Sequence, residues 1–168
     1  MIKIILIASA LLTLPSCQKS GDDSKIADSV RITSTQGEDL FEVTGSPNLN
    51  YSTIYGLWEG SFAENANVKI TARMLFQSSR IIFSTKCQIK KNGQLVDTLY
   101  TAVESEAEIS SSTVRFLTPK ESSAKSTEGT CDIKVTSQET MYNIGTMSKE
   151  LCFGGSYPKC LIMNKIRD

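Results

Sequence analysis

Histidine is absent from all 168 residues of this chain. That one gap excludes Ser-His-Asp triads, Cys-His dyads and imidazole-based metal sites, because no other unperturbed side chain changes charge near neutral pH. An excess of charge of either sign is missing too: 18 basic residues stand against 18 acidic ones. Nucleic-acid surfaces need a basic excess interleaved with aromatics for stacking, and aromatics make up only 7% of this chain. No glycine-rich phosphate loop and no dinucleotide fingerprint occur. Long segments with a 3.6-residue apolar period and helix caps are lacking beyond the N-terminus, which argues against helical and α/β architectures. The longest uncharged apolar run, residues 4–14, falls short of the roughly 20 residues that a membrane-spanning helix needs.

What is present begins with that run. Lys3 precedes it and a polar stretch containing Asp22 and Asp23 follows it, the layout of a secretion signal. The run ends in Leu14-Pro15-Ser16-Cys17, which resembles the lipobox of bacterial lipoproteins through Leu14, Ser16 and Cys17; Pro15 stands where that family has another small residue. The resemblance implies cleavage before Cys17, lipidation of Cys17, and a membrane as the first partner. Gln18 in place of an aspartate implies, by similarity to sorting in Gram-negative envelopes, the outer membrane. Residues 1–16 are thus expected to be a signal peptide and residues 17–29 a flexible tether. Residues 30–50 form an extension, read either as an early strand pair about a turn at Gln36-Gly37-Glu38-Asp39 or as ordered tether. Residues 51–168 are expected to form the folded domain.

Setting Cys17 aside leaves four cysteines: Cys87, Cys131, Cys152 and Cys160. An even number in an exported chain points to two disulfides, for which three pairings exist. Gly154, Gly155 and Pro158 favour a short Cys152–Cys160 loop, which leaves Cys87 to pair with Cys131. The chain-entropy model assigns about 2.6 kcal/mol to the short loop and about 4 kcal/mol to the long one. Zinc would want Cys-x-x-Cys spacing or histidines, so no metal and no cofactor is expected.

The rest of the chain alternates. Val68, Ile70, Ala72, Met74 and Phe76 share one face of a strand, and Ile81 and Phe83 resume the pattern after Ser78-Ser79. Asn92-Gly93 marks a tight hairpin turn. Residues 95–103 and 104–109 read as successive strands, with shorter candidates after them. Residues 118–130 carry no large apolar side chain and read as a mobile polar loop. Eight to ten short strands without intervening helices predict an all-β antiparallel meander, an eight-stranded up-and-down barrel or, alternatively, a β-sandwich.

Gly56-Leu57-Trp58 opens the first clear strand and resembles the Gly-x-Trp motif of lipocalins, as do lipocalin-like bacterial lipoproteins in their order of lipobox, tether and barrel. The resemblance implies a small up-and-down barrel with Trp58 at its base. The inward row Val68, Ile70, Met74, Phe76, Ile81 and Phe83 then either fills the barrel or faces a ligand.

Two other patterns suggest chemistry. Glu104, Glu106 and Glu108 would share one strand face, which reads as a solvated outer surface before it reads as a catalytic carboxylate pair. Ser122-Ser123-Ala124-Lys125 matches Ser-x-x-Lys without its companion elements. The expectation is therefore a non-enzymatic, lipid-anchored envelope protein that binds a small apolar ligand or lipid in its barrel. The alternative is an interaction or inhibitor module that touches an envelope protein through residues 118–130 and 152–160, with Phe153 and Tyr157 as contacts. Nucleic acid is not expected as a partner.

Overall fold

Alternation places every second side chain of a strand on one face, so a sheet with one apolar face is stable only when that face is covered. In this chain the sheet covers itself. A computed structural model describes residues 37–168, except Thr146, Ser148 and Pro158; the expected signal, Cys17 and the tether lie outside the described residues. One short helix, α1 (Gly37–Glu42), precedes β1 (Gly56–Glu64), β2 (Val68–Phe76), β3 (Arg80–Lys91), β4 (Gln94–Ile109) and β5 (Thr113–Phe116). Then come β6 (Lys120–Lys125), β7 (Thr130–Val135), β8 (Glu139–Gly145), β9 (Glu150–Phe153) and β10 (Leu161–Arg167). The chain is all-β, and β1 to β5 followed by β8, β9 and β10 close into an eight-stranded antiparallel barrel. Strands β6 and β7 form a separate two-stranded sheet inserted between β5 and β8.

Local chemistry accounts for the turns. Asn92 and Gly93 both have positive φ, at 53° and 79°, which a two-residue hairpin of the favoured twist requires. Residues 95–109, expected as two strands, belong to one 16-residue strand that starts at Gln94, because β4 pairs with β3 continuously across Val103 and Glu104. Its inner residues Thr101, Val103, Ser105 and Ala107 are buried, whereas Glu106 and Glu108 are exposed.

Apolar residues on both faces mark where the outer wall is covered as well. Leu75 and Ile82 point outward, yet they are buried with Leu57 against Leu40 of α1. Within the described part of the extension, residues 37–50, this helix stands where the second strand of a pair was one expectation; residues 30–36 lie outside the described residues. Six residues are too few for a stable isolated helix, and tertiary contacts hold this one. Arg73 Nη1 donates to the carbonyls of Leu40 at 2.5 Å and Val43 at 3.0 Å, and its Nε meets Glu59 Oε2 at 2.6 Å. The guanidinium also stacks 5.1 Å from the Phe41 ring centroid.

The polar stretch at residues 118–130 is a correction. It is not a loop but the outer strand and turn of the β6–β7 hairpin, paired from Lys120↔Val135 to Lys125↔Thr130. β6 lacks large apolar residues and leaves most of its side chains exposed, with Ala124 packed on the disulfide cluster; β7 supplies the buried side chains Cys131, Ile133 and Val135.

Both disulfides join the expected partners, Cys87 with Cys131 and Cys152 with Cys160. The first fastens the hairpin to the inner face of β3. The second closes the loop between β9 and β10.

Closure of the barrel relies on a close approach at Gly60. A Cβ there would lie 2.5 Å from the Ile162 carbonyl oxygen and 3.0 Å from Met163 Cγ. Gly60→Ala is therefore expected to destabilise the fold by about 1–3 kcal/mol through backbone displacement. A urea midpoint unchanged from wild type would show that the β1–β10 contact yields without cost.

Candidate functional site

The two ends of the barrel differ. At the end where β1 begins, residues 50–55 close it over a buried cation. Lys165 points inward from β10, its side chain fully buried, and its Nζ lies 5.3 Å from the Trp58 ring centroid. That ammonium donates to the carbonyls of Asn50 and Thr53 and pairs with Asp168 Oδ1 at 2.8 Å. Trp58 Nε1 donates to the Ile54 carbonyl at 2.6 Å, and Tyr51 meets the indole edge-on at 6.3 Å. A buried charge must be paired and hydrogen-bonded to be tolerated, and here each donor has a partner. Tyr142 completes this end by donating to the Ser110 carbonyl at 2.6 Å.

The other end holds a cavity of about 1090 Å³, partly open to solvent. Met74, Phe83, Phe116 and Phe153 form its apolar floor, with Phe62, Val135 and Leu161 on its sides. Lys134, Gln138, Glu139 and Lys159 stand around the rim, together with Gly154, Gly155 and Cys160 of the disulfide loop. The cavity also reaches Ser61 and Ile162, which lie beyond the β1–β10 register pairs Leu57↔Arg167 to Glu59↔Asn164. No buried side-chain nitrogen or oxygen among the described residues lacks a hydrogen-bond partner. The floor thus offers dispersion and apolar surface, with hydrogen-bonding groups confined to the rim, the usual division of labour in small-molecule sites.

A smaller cavity of about 200 Å³ lies beside the turn end of the hairpin, lined by Val68, Ile70, Thr85, Ile89, Val96 and the Cys87–Cys131 disulfide. Lys91 and Glu128 face each other across its opening at 3.8 Å.

The structure divides the residues expected to face a ligand. Met74 and Phe83 line the large cavity; Val68 and Ile70 line the small one; Phe76 and Ile81 are buried deeper, and Trp58 packs at the closed end. Phe153, expected as a partner contact, is 8% exposed and packs on Phe76 with ring centroids 5.8 Å apart. As an inward residue of β9 it belongs to the cavity floor, so it does not serve as a surface contact. Tyr157 is 77% exposed on the disulfide loop. Residues 118–130 present a strand edge where a loop was expected.

Phe62, Phe116, Leu161 and Lys165 were not singled out from the sequence. Leu161, Met163 and Lys165 alternate along β10, so inward parity was a usable signal for Lys165. Phe62 stands four residues after Trp58 and two after Gly60, so the same parity was a usable signal for it on β1.

The chemistry-bearing patterns do not assemble. Glu104 pairs with Arg80 at 3.0 Å and Glu108 lies 3.9 Å from Arg115, both on the outer surface. Ser122 and Lys125 lie on strand β6, where residues three apart point to opposite faces.

No protein-family model, no curated protein and no solved structure matches this chain.

Burial pushes the Tyr142 hydroxyl above the ordinary tyrosine value of 10.0, and the neighbouring Tyr55 adds to the rise. The folded state therefore holds this proton more tightly than the unfolded chain. Its contribution to stability is intact below pH 10 and is lost as pH rises above that value. Thermal melts should show a steeper alkaline loss of stability in wild type than in Tyr142→Phe. The variant itself should lose about 1 kcal/mol at pH 7 through the missing hydrogen bond. Parallel alkaline profiles for the two proteins would refute the assignment.

Proposed function

We infer that this protein is a non-enzymatic envelope lipoprotein, anchored through Cys17, whose lipocalin-like barrel holds a small apolar ligand. The observation that carries the reading is the cavity of about 1090 Å³ floored by Met74, Phe83, Phe116 and Phe153. Ligand sites commonly occupy about 300–1,000 Å³ and combine an apolar lining with a few polar groups. An eight-stranded barrel either fills its interior or keeps room for one small ligand. Here the half towards the closed end is filled by Trp58, Phe76, Ile81 and Met163, and the other half keeps space. The lipid anchor rests on the resemblance of Leu14-Pro15-Ser16-Cys17 to a lipobox, and the outer membrane on Gln18.

Exposed Tyr157 supports a second reading, contact of the disulfide loop with an envelope protein. The loop rims the cavity, so the two readings are compatible.

N-phenylnaphthylamine, an uncharged dye that brightens in apolar surroundings, should bind the purified full chain saturably. Phe116→Asp, which sets a carboxylate on the cavity floor, should weaken that binding at least tenfold, since an unpaired charge resists burial. Failure of wild type to bind the dye saturably would remove the ligand-binding reading. Cys17→Ala should move the protein from the membrane fraction to the soluble fraction, and an unchanged distribution would remove the anchor.

A further inference from the structure

The two cavities lie along the same inward rows of side chains. On β2 the row runs Val68 and Ile70 in the small cavity, Ala72 in neither, and Met74 in the large one. On β3 Cys87 and Thr85 line the small cavity and Phe83 lines the large one. On β7 Cys131 belongs to the small cavity, Val135 to the large one, and Ile133 between them is 2% exposed and touches neither. In all three strands the boundary falls at one level, so a single lumen is divided across its length.

Two side chains stand at that level. Ile133 enters from the hairpin. Phe62 enters from β1 and packs against both the cluster containing Ala72, Met74 and Ile133 and the cluster containing Val68, Ile70, Cys87 and Cys131. It continues the inward parity of Trp58 and Gly60 and is the extra residue of a β-bulge, since Ser61 faces Thr71 and Ala63 faces Ile70. Across the bulge the pairing of β1 with β2 shifts by one residue, and bulges recur beside functional sites. The inward residue on β2 at the boundary is Ala72, small enough to leave room for larger side chains.

We propose that Phe62 is the specificity-determining partition of the lumen: it stops an apolar chain at the end of the large cavity and so sets the length of ligand that the barrel accepts. The inference rests on the ligand-binding reading and adds to it the residue that limits size. Truncating Phe62 would join the large cavity to the small one, whose walls at Val68, Ile70 and Ile89 are apolar and able to receive further methylenes. Phe62 is only partly buried and occupies a bulge, so its truncation leaves the ladder hydrogen bonds of β1 in place.

The test is displacement of bound N-phenylnaphthylamine from the full chain by straight-chain primary alcohols from hexanol to tetradecanol. Affinity for wild type should rise about fourfold with each added methylene while the chain is being buried, and then level off. In Phe62→Ala the levelling should occur at a longer chain, with the longest alcohols gaining at least tenfold over wild type and the shortest unchanged. Phe62→Leu should fall between the two, and it serves alone if the alanine variant fails to reproduce the Trp58 emission of a folded barrel. Plateaus at the same chain length in all folded variants would overturn the partition while leaving the ligand-binding reading intact. Absence of saturable dye binding by wild type would overturn both.

Discussion

The ammonium of Lys165 beneath the Trp58 ring is the contact on which closure of this barrel depends. A sheet of eight strands has two edges with unsatisfied backbone groups, and closure removes them. Here the edges meet through three register pairs, Leu57↔Arg167, Trp58↔Lys165 and Glu59↔Asn164. The central pair is the one whose side chains are driven together inside, with the cation held by Asn50, Thr53 and Asp168. Asp168 also accepts from the backbone N–H of Asn50 through both carboxylate oxygens, so the same group ties residues 50–55 across the end. One buried charge thereby fixes the seam, the closing segment and the orientation of the indole.

From that seam the rest of the interior follows. Below it the barrel is filled. Above it the β1–β10 register pairs end, Phe62 points inward beside a bulge, and the walls become unequal, since β3 and β4 extend well beyond β5, β8 and β9. The β6–β7 hairpin lies against the long wall, fastened at Cys87–Cys131 near its turn and by the chain itself at its base. Its inward residues compensate for the missing height on one side and leave the large cavity on the other. The Cys152–Cys160 loop then frames the rim. Both disulfides serve the open end, where fewer ladder bonds constrain the chain.

Much of the barrel was legible because its information is local. The alternation of β2 and β3, the Asn92-Gly93 turn and the glycines between Cys152 and Cys160 each act within a dozen residues. What escaped depends on distant partners. A six-residue helix has no periodicity to detect, and only the outward Leu75 and Ile82 hinted that something covered the wall. Strand β6 reads as a loop because its apolar cover belongs to β7 and to the barrel. Phe153 reads as a loop aromatic because β9 is only four residues long. The cavity was the least legible feature: the same inward row lines a void or a filled core, and the difference lies in Phe62, Ile133 and Ala72, which come from three different strands.

The central claim is that the upper lumen, and no external surface, receives the apolar ligand, and the methionines report on it directly. Met74 lies on the cavity floor at 2% exposure, whereas Met147 lies on the turn between β8 and β9 at 98% exposure. With the methionine methyls labelled with carbon-13, titration of the full chain with N-phenylnaphthylamine should move the Met74 resonance saturably and leave that of Met147 in place. A Met74 signal that stays fixed while the dye binds, or a Met147 methyl that moves in its stead, would contradict the account.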